Sequence, residues 1–60
     1  MFEELINKKI KCVWNDGDDS KAVYGVVESV DNSFLKIRTD KDNSLIHISI
    51  QSIITVKEVD

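Results

Sequence analysis

Lys21-Ala22-Val23-Tyr24-Gly25-Val26-Val27-Glu28-Ser29-Val30-Asp31 decides how the 60-residue chain is read. The segment is rich in β-branched residues and lacks proline, so it reads as a long strand. Its parity is broken. Gly25 and Val27 fall on one face by alternation, whereas Val30 falls on the other. If Val27 and Val30 both face a core, the strand must bend or bulge between them. A glycine inside a strand marks such a bend or a close backbone approach.

Shorter strands flank this one. Upstream, Ile10, Cys12 and Trp14 alternate with Lys9, Lys11 and Val13, and the cluster Asn15-Asp16-Gly17-Asp18-Asp19-Ser20 forms a turn. Downstream, Asp31-Asn32-Ser33 ends the long strand. Phe34–Thr39 forms a third strand, with Leu35 and Ile37 alternating against Lys36 and Arg38. After the polar turn Asp40-Lys41-Asp42-Asn43, Leu45–Ile50 forms a fourth, with Ile46, Ile48 and Ile50 on one face. Gln51-Ser52 is a tight connection into a fifth strand, Ile53–Val59. At the start of the chain, Phe2, Leu5 and Ile6 have helical spacing, and Glu3 and Glu4 suit a helix N-terminus, so residues 2–7 are expected to form a short helix. The expected core is Ile10, Cys12, Trp14, Val27, Val30, Leu35, Ile37, Ile48 and Ile54.

Composition narrows the function classes. Apolar residues make up 42% and charged residues 32%, so the chain can bury a core and stay soluble. Sixty residues permit one domain, spanning 1–60, and a domain of this size buries only about 60% of its unfolded surface. Disulfides, metals and oligomerisation are the usual supports for so small a core. Cys12 is the lone cysteine and His47 the lone histidine, so neither an intrachain disulfide nor a four-ligand zinc site is available, which leaves oligomerisation. No apolar run is long enough to span a membrane and no signal peptide is visible, so a cytoplasmic location without membrane contact is expected. The net charge of −3 argues against non-specific nucleic-acid binding, which relies on phosphate contacts, but not against a few bases held in a small pocket.

Enzymatic chemistry is not expected. His47 sits in an apolar strand and Cys12 shares a face with Ile10 and Trp14, so neither reads as half of a nucleophile–base pair. Gly17 and Gly25 are too few and too far apart for a phosphate-cradling loop. Asp16, Asp18 and Asp19 lack the spacing and distal glutamate of a calcium loop and read as a solvated turn. No cofactor is expected.

The order of one short helix and five short strands, the bent second strand and two short motifs resemble the Sm-like family. The first motif is Gly25-Val26-Val27-Glu28-Ser29-Val30-Asp31, a glycine with an aspartate six residues on, and is most similar to the bacterial branch. The second is Ile53 with Val56 after the tight Gln51-Ser52 connection. The resemblance covers nearly the whole chain. It implies an all-β fold: a short N-terminal helix followed by a strongly bent five-stranded antiparallel Sm-like (SH3-like) barrel. Another SH3-like small barrel with the same strand count is the alternative. The resemblance further implies a homo-oligomeric ring, assembled through the edges of strands four and five, and a pocket for short single-stranded RNA. At that pocket Asp31 would orient its neighbours, Asn32, Ser49 and Gln51 would line it with hydrogen-bonding groups, and Phe34 would stack on a base. By alternation Lys36 and Arg38 share a strand face and form a small cationic stripe, which reads either as a solvent-facing strand edge or as a contact for phosphate.

The chain departs from the family at the pocket. Phe34-Leu35 stands where the family places a base-holding asparagine, and Ser49-Ile50 where it places arginine and glycine. Two classes therefore stay open: an RNA-binding ring, and a structural or assembly protein with the same barrel that has lost nucleic-acid binding.

Overall fold

The computed structural model describes residues 2–59. Five strands form one antiparallel sheet: β1 (Lys9–Asp16), β2 (Asp19–Val30), β3 (Phe34–Thr39), β4 (Leu45–Ser49) and β5 (Ile53–Glu58). Their spatial order is β4-β3-β2-β1-β5. β4 and β5 are thus the two outer strands of an open sheet. A single 3-10 turn, Ile50–Ser52, connects them.

The break in parity in β2 has a structural counterpart. The β2–β3 register shifts between Val27 and Ser29, leaving Glu28 as the extra residue of a bulge. Val27 is fully buried and Val30 packs against the core beyond it. Gly25 lies directly under β3. A Cβ there would collide with the carbonyl oxygen of Arg38 and stand 2.6 Å from Cγ2 of Ile37. The glycine therefore permits a close backbone approach that no other residue fits.

The core consists of Ile10, Cys12, Val27, Leu35, Ile37 and Ile48, with Trp14, Val23, Ile46, Ile53 and Val56 packed around it. Burial pushes the Cys12 thiol up to about 11, so it behaves as a small apolar side chain. Among the described residues Thr39 is the buried polar one. Its Oγ1 donates to Asp42 Oδ1 at 2.6 Å, so its hydroxyl is satisfied inside the β3–β4 connection.

Three expectations are corrected. The N-terminal helix is reduced to one 3-10 turn, Glu3–Leu5. Asn7 adopts a left-handed φ of 71° and its N–H donates to the carbonyl of Val27, while Ile6 forms a parallel bridge to Val27. Pairing with the sheet captures the backbone before a second helical turn can close. The turn expected over residues 15–20 is confined to two residues, Gly17 and Asp18, because Asn15 pairs with Ser20 and Asp16 with Asp19. Gly17, at φ 71°, occupies the first loop position, where a type II′ hairpin requires glycine. Finally, Ile54 is 56% exposed rather than buried. Trp14 pairs with Ile53 and Val13 with Thr55, so the register skips Ile54 and turns it out of the core.

Candidate functional site

The β2–β3 and β4–β5 connections meet at one end of the sheet. The Asp31 carboxylate organises the first. Its Oδ1 accepts the backbone N–H of Ser33 at 2.7 Å and that of Phe34 at 2.8 Å, and the Asp31 N–H donates to the Phe34 carbonyl. This is the way a short acidic side chain fixes a turn. The Ile50 N–H donates to the Ser33 carbonyl at 3.0 Å, which ties the second connection to the first.

The result is a shallow recess of about 240 Å³ lined by Asn32, Ser33, Phe34, Ser49 and Gln51. Four of the residues singled out from the sequence meet there: Asn32, Phe34, Ser49 and Gln51. Asp31 lies behind them and lines an adjoining hollow with Glu3, Val30, Asn32 and Ile50. Phe34 is 42% exposed, so part of its side chain is open to solvent. Its ring lies near that of His47, with ring centroids 6.2 Å apart and planes at 53°.

His47 is the neighbour that sequence reasoning missed. Ile46 and Ile48 face inward, so alternation alone sends His47 outward, beside Phe34 and opposite Lys36. An apolar strand such as β4 favours partial burial of its residues. His47 is exposed instead.

The cationic stripe divides. Lys36 makes no ion pair at contact distance among the described residues, although its charge reaches the Asp31 carboxylate. Arg38 is engaged. Its Nε donates to Glu28 Oε2 at 2.7 Å, and a terminal guanidinium nitrogen donates to the Asn43 carbonyl at 3.3 Å. The bulge aims Glu28 at Arg38, and the guanidinium holds the Glu28 carboxyl below its ordinary range.

Two further carboxyls are depressed. The Ser33 and Phe34 N–H groups stabilise ionised Asp31, and the hydroxyl of Thr39, followed by that of Ser44, stabilises ionised Asp42. A depressed folded-state value means that the contribution is complete above the ordinary carboxylate range, about pH 4, and is lost as the pH falls through the depressed values. Stability measured by urea unfolding is therefore expected to drop below about pH 4. In Asp31→Asn and Asp42→Asn variants this acid limb should be shallower. An unchanged limb in both would mean that these carboxylates do not hold the loops.

No helix among the described residues is long and apolar enough to cross a membrane. No protein-family model, curated protein or solved structure matches the chain.

Proposed function

We propose that this chain is a non-catalytic Sm-like subunit that assembles head-to-tail into a ring and holds short single-stranded RNA at the recess formed by Asn32, Ser33, Phe34, Ser49 and Gln51. The observation that carries this reading is topological. β4 and β5 are both outer strands, so one subunit offers two different free edges. Two unlike, complementary edges make a heterologous contact, which closes into a ring when the rotation between neighbours allows it.

The edges suit pairing. Natural edge strands are blunted by charge, proline or a covering element. β4 reads Leu45-Ile46-His47-Ile48-Ser49, with neither proline nor a carboxylate, lysine or arginine. Ile46 and Ile48 also line a mainly apolar depression of about 300 Å³ with Trp14 and Val23. β5 exposes Ile54. The barrel reading draws support from the strand order, from the bulge at Glu28 and from the tight Ile50–Ser52 turn between the two edge strands.

The recess supplies the three things a base needs: an exposed ring for stacking, amide groups on Asn32 and Gln51 for base edges, and a nearby cation, Lys36, on the same strand face as Phe34. Cys12 is buried in the core and His47 is on the outer face of a different strand, which speaks against a thiol–imidazole pair.

Anisotropy of short labelled oligouridylate and oligoadenylate at low salt tests the ligand. Phe34→Ala is expected to weaken binding by about 1–3 kcal/mol, the worth of one stacked base. Lys36→Ala should flatten the salt dependence. The Arg38–Glu28 pair and the net charge of −3 favour a second reading, a structural ring without nucleic acid. Failure of the parent protein to bind either oligonucleotide would leave only that second reading.

A further inference from the structure

His47 is the middle residue of the edge strand β4 and the one ionisable side chain in it. It is also the lone histidine of the chain. Ile46 and Ile48 turn inward on either side of it, so its imidazole stands outward and exposed. Histidine is the side chain that ordinarily changes charge between about pH 5 and 8. Through this one group, an edge that is otherwise free of charge can acquire a positive charge at its centre. Charge on an edge strand is a means by which proteins block pairing there.

The surroundings of His47 hold no dedicated partner for that charge. Lys36 on β3 stands directly opposite, and like charges directly opposite destabilise a sheet. Asp31, in the β2–β3 connection, feels the charges of both Lys36 and His47, but its Oδ1 is fixed by the N–H groups of Ser33 and Phe34. Lys41 and Asp42, in the β3–β4 connection, share a depression with His47. Oδ1 of Asp42 is turned inward, where it accepts the Thr39 and Ser44 hydroxyls and the Ser44 N–H. Trp14 and Val23, which reach the same depression from β1 and β2, are uncharged. Among the described residues no carboxylate lies within ion-pair distance of His47. The β5 strand of a second copy would not supply one. Its stretch Ile53-Ile54-Thr55-Val56 is uncharged, and Glu58 at its end is taken by Lys8 at 3.6 Å. Covering a charged imidazole with such a strand removes water from it without replacing the lost interactions, which disfavours the charged form.

We infer that His47 is a pH-sensitive latch on the β4 edge: neutral, it lets a second copy of the chain add its β5 to β4, and protonated, it opens that contact. The latch rests on the head-to-tail reading of the two edges. The covered edge holds the proton less tightly than the free edge, so assembly is strongest at the upper end of the histidine range and is lost as the pH falls through it. The subunit itself is not switched. The lowered carboxyls of Glu28, Asp31 and Asp42 remain ionised over this range, and the Cys12 thiol, pushed up to about 11, remains protonated.

The test is sedimentation velocity of the full chain over a range of concentrations at about pH 8 and about pH 5, with circular dichroism of the same samples to follow the sheet. The parent is expected to pass from a multiple of 6.8 kDa toward 6.8 kDa on acidification, with an unchanged spectrum. The concentration needed for half assembly should rise roughly 10-fold or more, the effect of a tenfold weaker hold on one proton. His47→Gln cannot take up the charge and should keep the same assembled mass at both pH values. His47→Lys carries the charge at both and should stay at 6.8 kDa with a folded spectrum. A parent that stays assembled to the same extent at both pH values, or a His47→Gln variant that dissociates in acid as the parent does, would overturn the latch and keep the ring. Loss of the folded spectrum at about pH 5 would place the change in the subunit rather than at its edge, and would overturn the latch as well. A parent of 6.8 kDa at both pH values would remove the ring reading itself, and the latch with it.

Discussion

Ile37→Ala is expected to cost about 2–5 kcal/mol, the range for truncating a fully buried aliphatic side chain. A chain of this length has roughly 3–9 kcal/mol of stability in total, so this one change removes much of it. Ile37 is fully buried at the middle of β3, paired with Val27 on β2 and with Ile46 on β4. Its Cγ2 also fills the space that Gly25 leaves open. The cavity left by alanine would be bordered by backbone on the Gly25 side, which cannot move in to fill it. Urea unfolding followed by circular dichroism should show a lower midpoint with a similar slope. Trp14, the larger side chain, is only partly buried at the edge of the core, so the account ranks Ile37 above it. Equal stability of Ile37→Ala and the parent would mean that the core is placed wrongly.

The second large effect concerns the edges. Antiparallel pairing alternates N–H groups toward and away from the partner strand. The Thr39 N–H donates to the Ser44 carbonyl, and the Ile50 N–H donates to the Ser33 carbonyl. That phase directs the N–H groups of Ile46 and Ile48 toward β3 and those of Leu45, His47 and Ser49 toward the free edge. Proline is tolerated on an edge strand where its missing N–H faces solvent. His47→Pro should therefore keep the fold and abolish pairing at the β4 edge. Ile54→Asp should do the same at β5, because Ile54 is already turned outward there. Each variant is expected to run as a 6.8 kDa monomer with a folded spectrum. Mixed together they retain one intact edge of each kind and should stop at a dimer. A same-edge contact, β4 to β4 or β5 to β5, would give homodimers of one variant instead.

Much of the strand layout was legible in the sequence because two-residue alternation is strict where one face is buried. The bulge at Glu28 was legible as a parity conflict between Val27 and Val30. What escaped depended on contacts between distant segments. Phe2, Leu5 and Ile6 have spacing that fits a helix, yet the hydrogen bond from Asn7 to Val27 decides the backbone there. Ile54 reads as core until the register against β1 is known, and no residue in β5 marks the skip. At the recess, Asn32, Phe34, Ser49 and Gln51 were identified through resemblance, and the two connections bring them together. The capture of Arg38 was not legible, because it depends on where the bulge points Glu28.

The central claim is head-to-tail assembly through β4 and β5, and sedimentation equilibrium of the parent protein at micromolar concentration tests it most directly. The account predicts one species whose mass is a fixed multiple of 6.8 kDa and does not grow with concentration, as a closed ring requires. A single species of 6.8 kDa across the same range would contradict it.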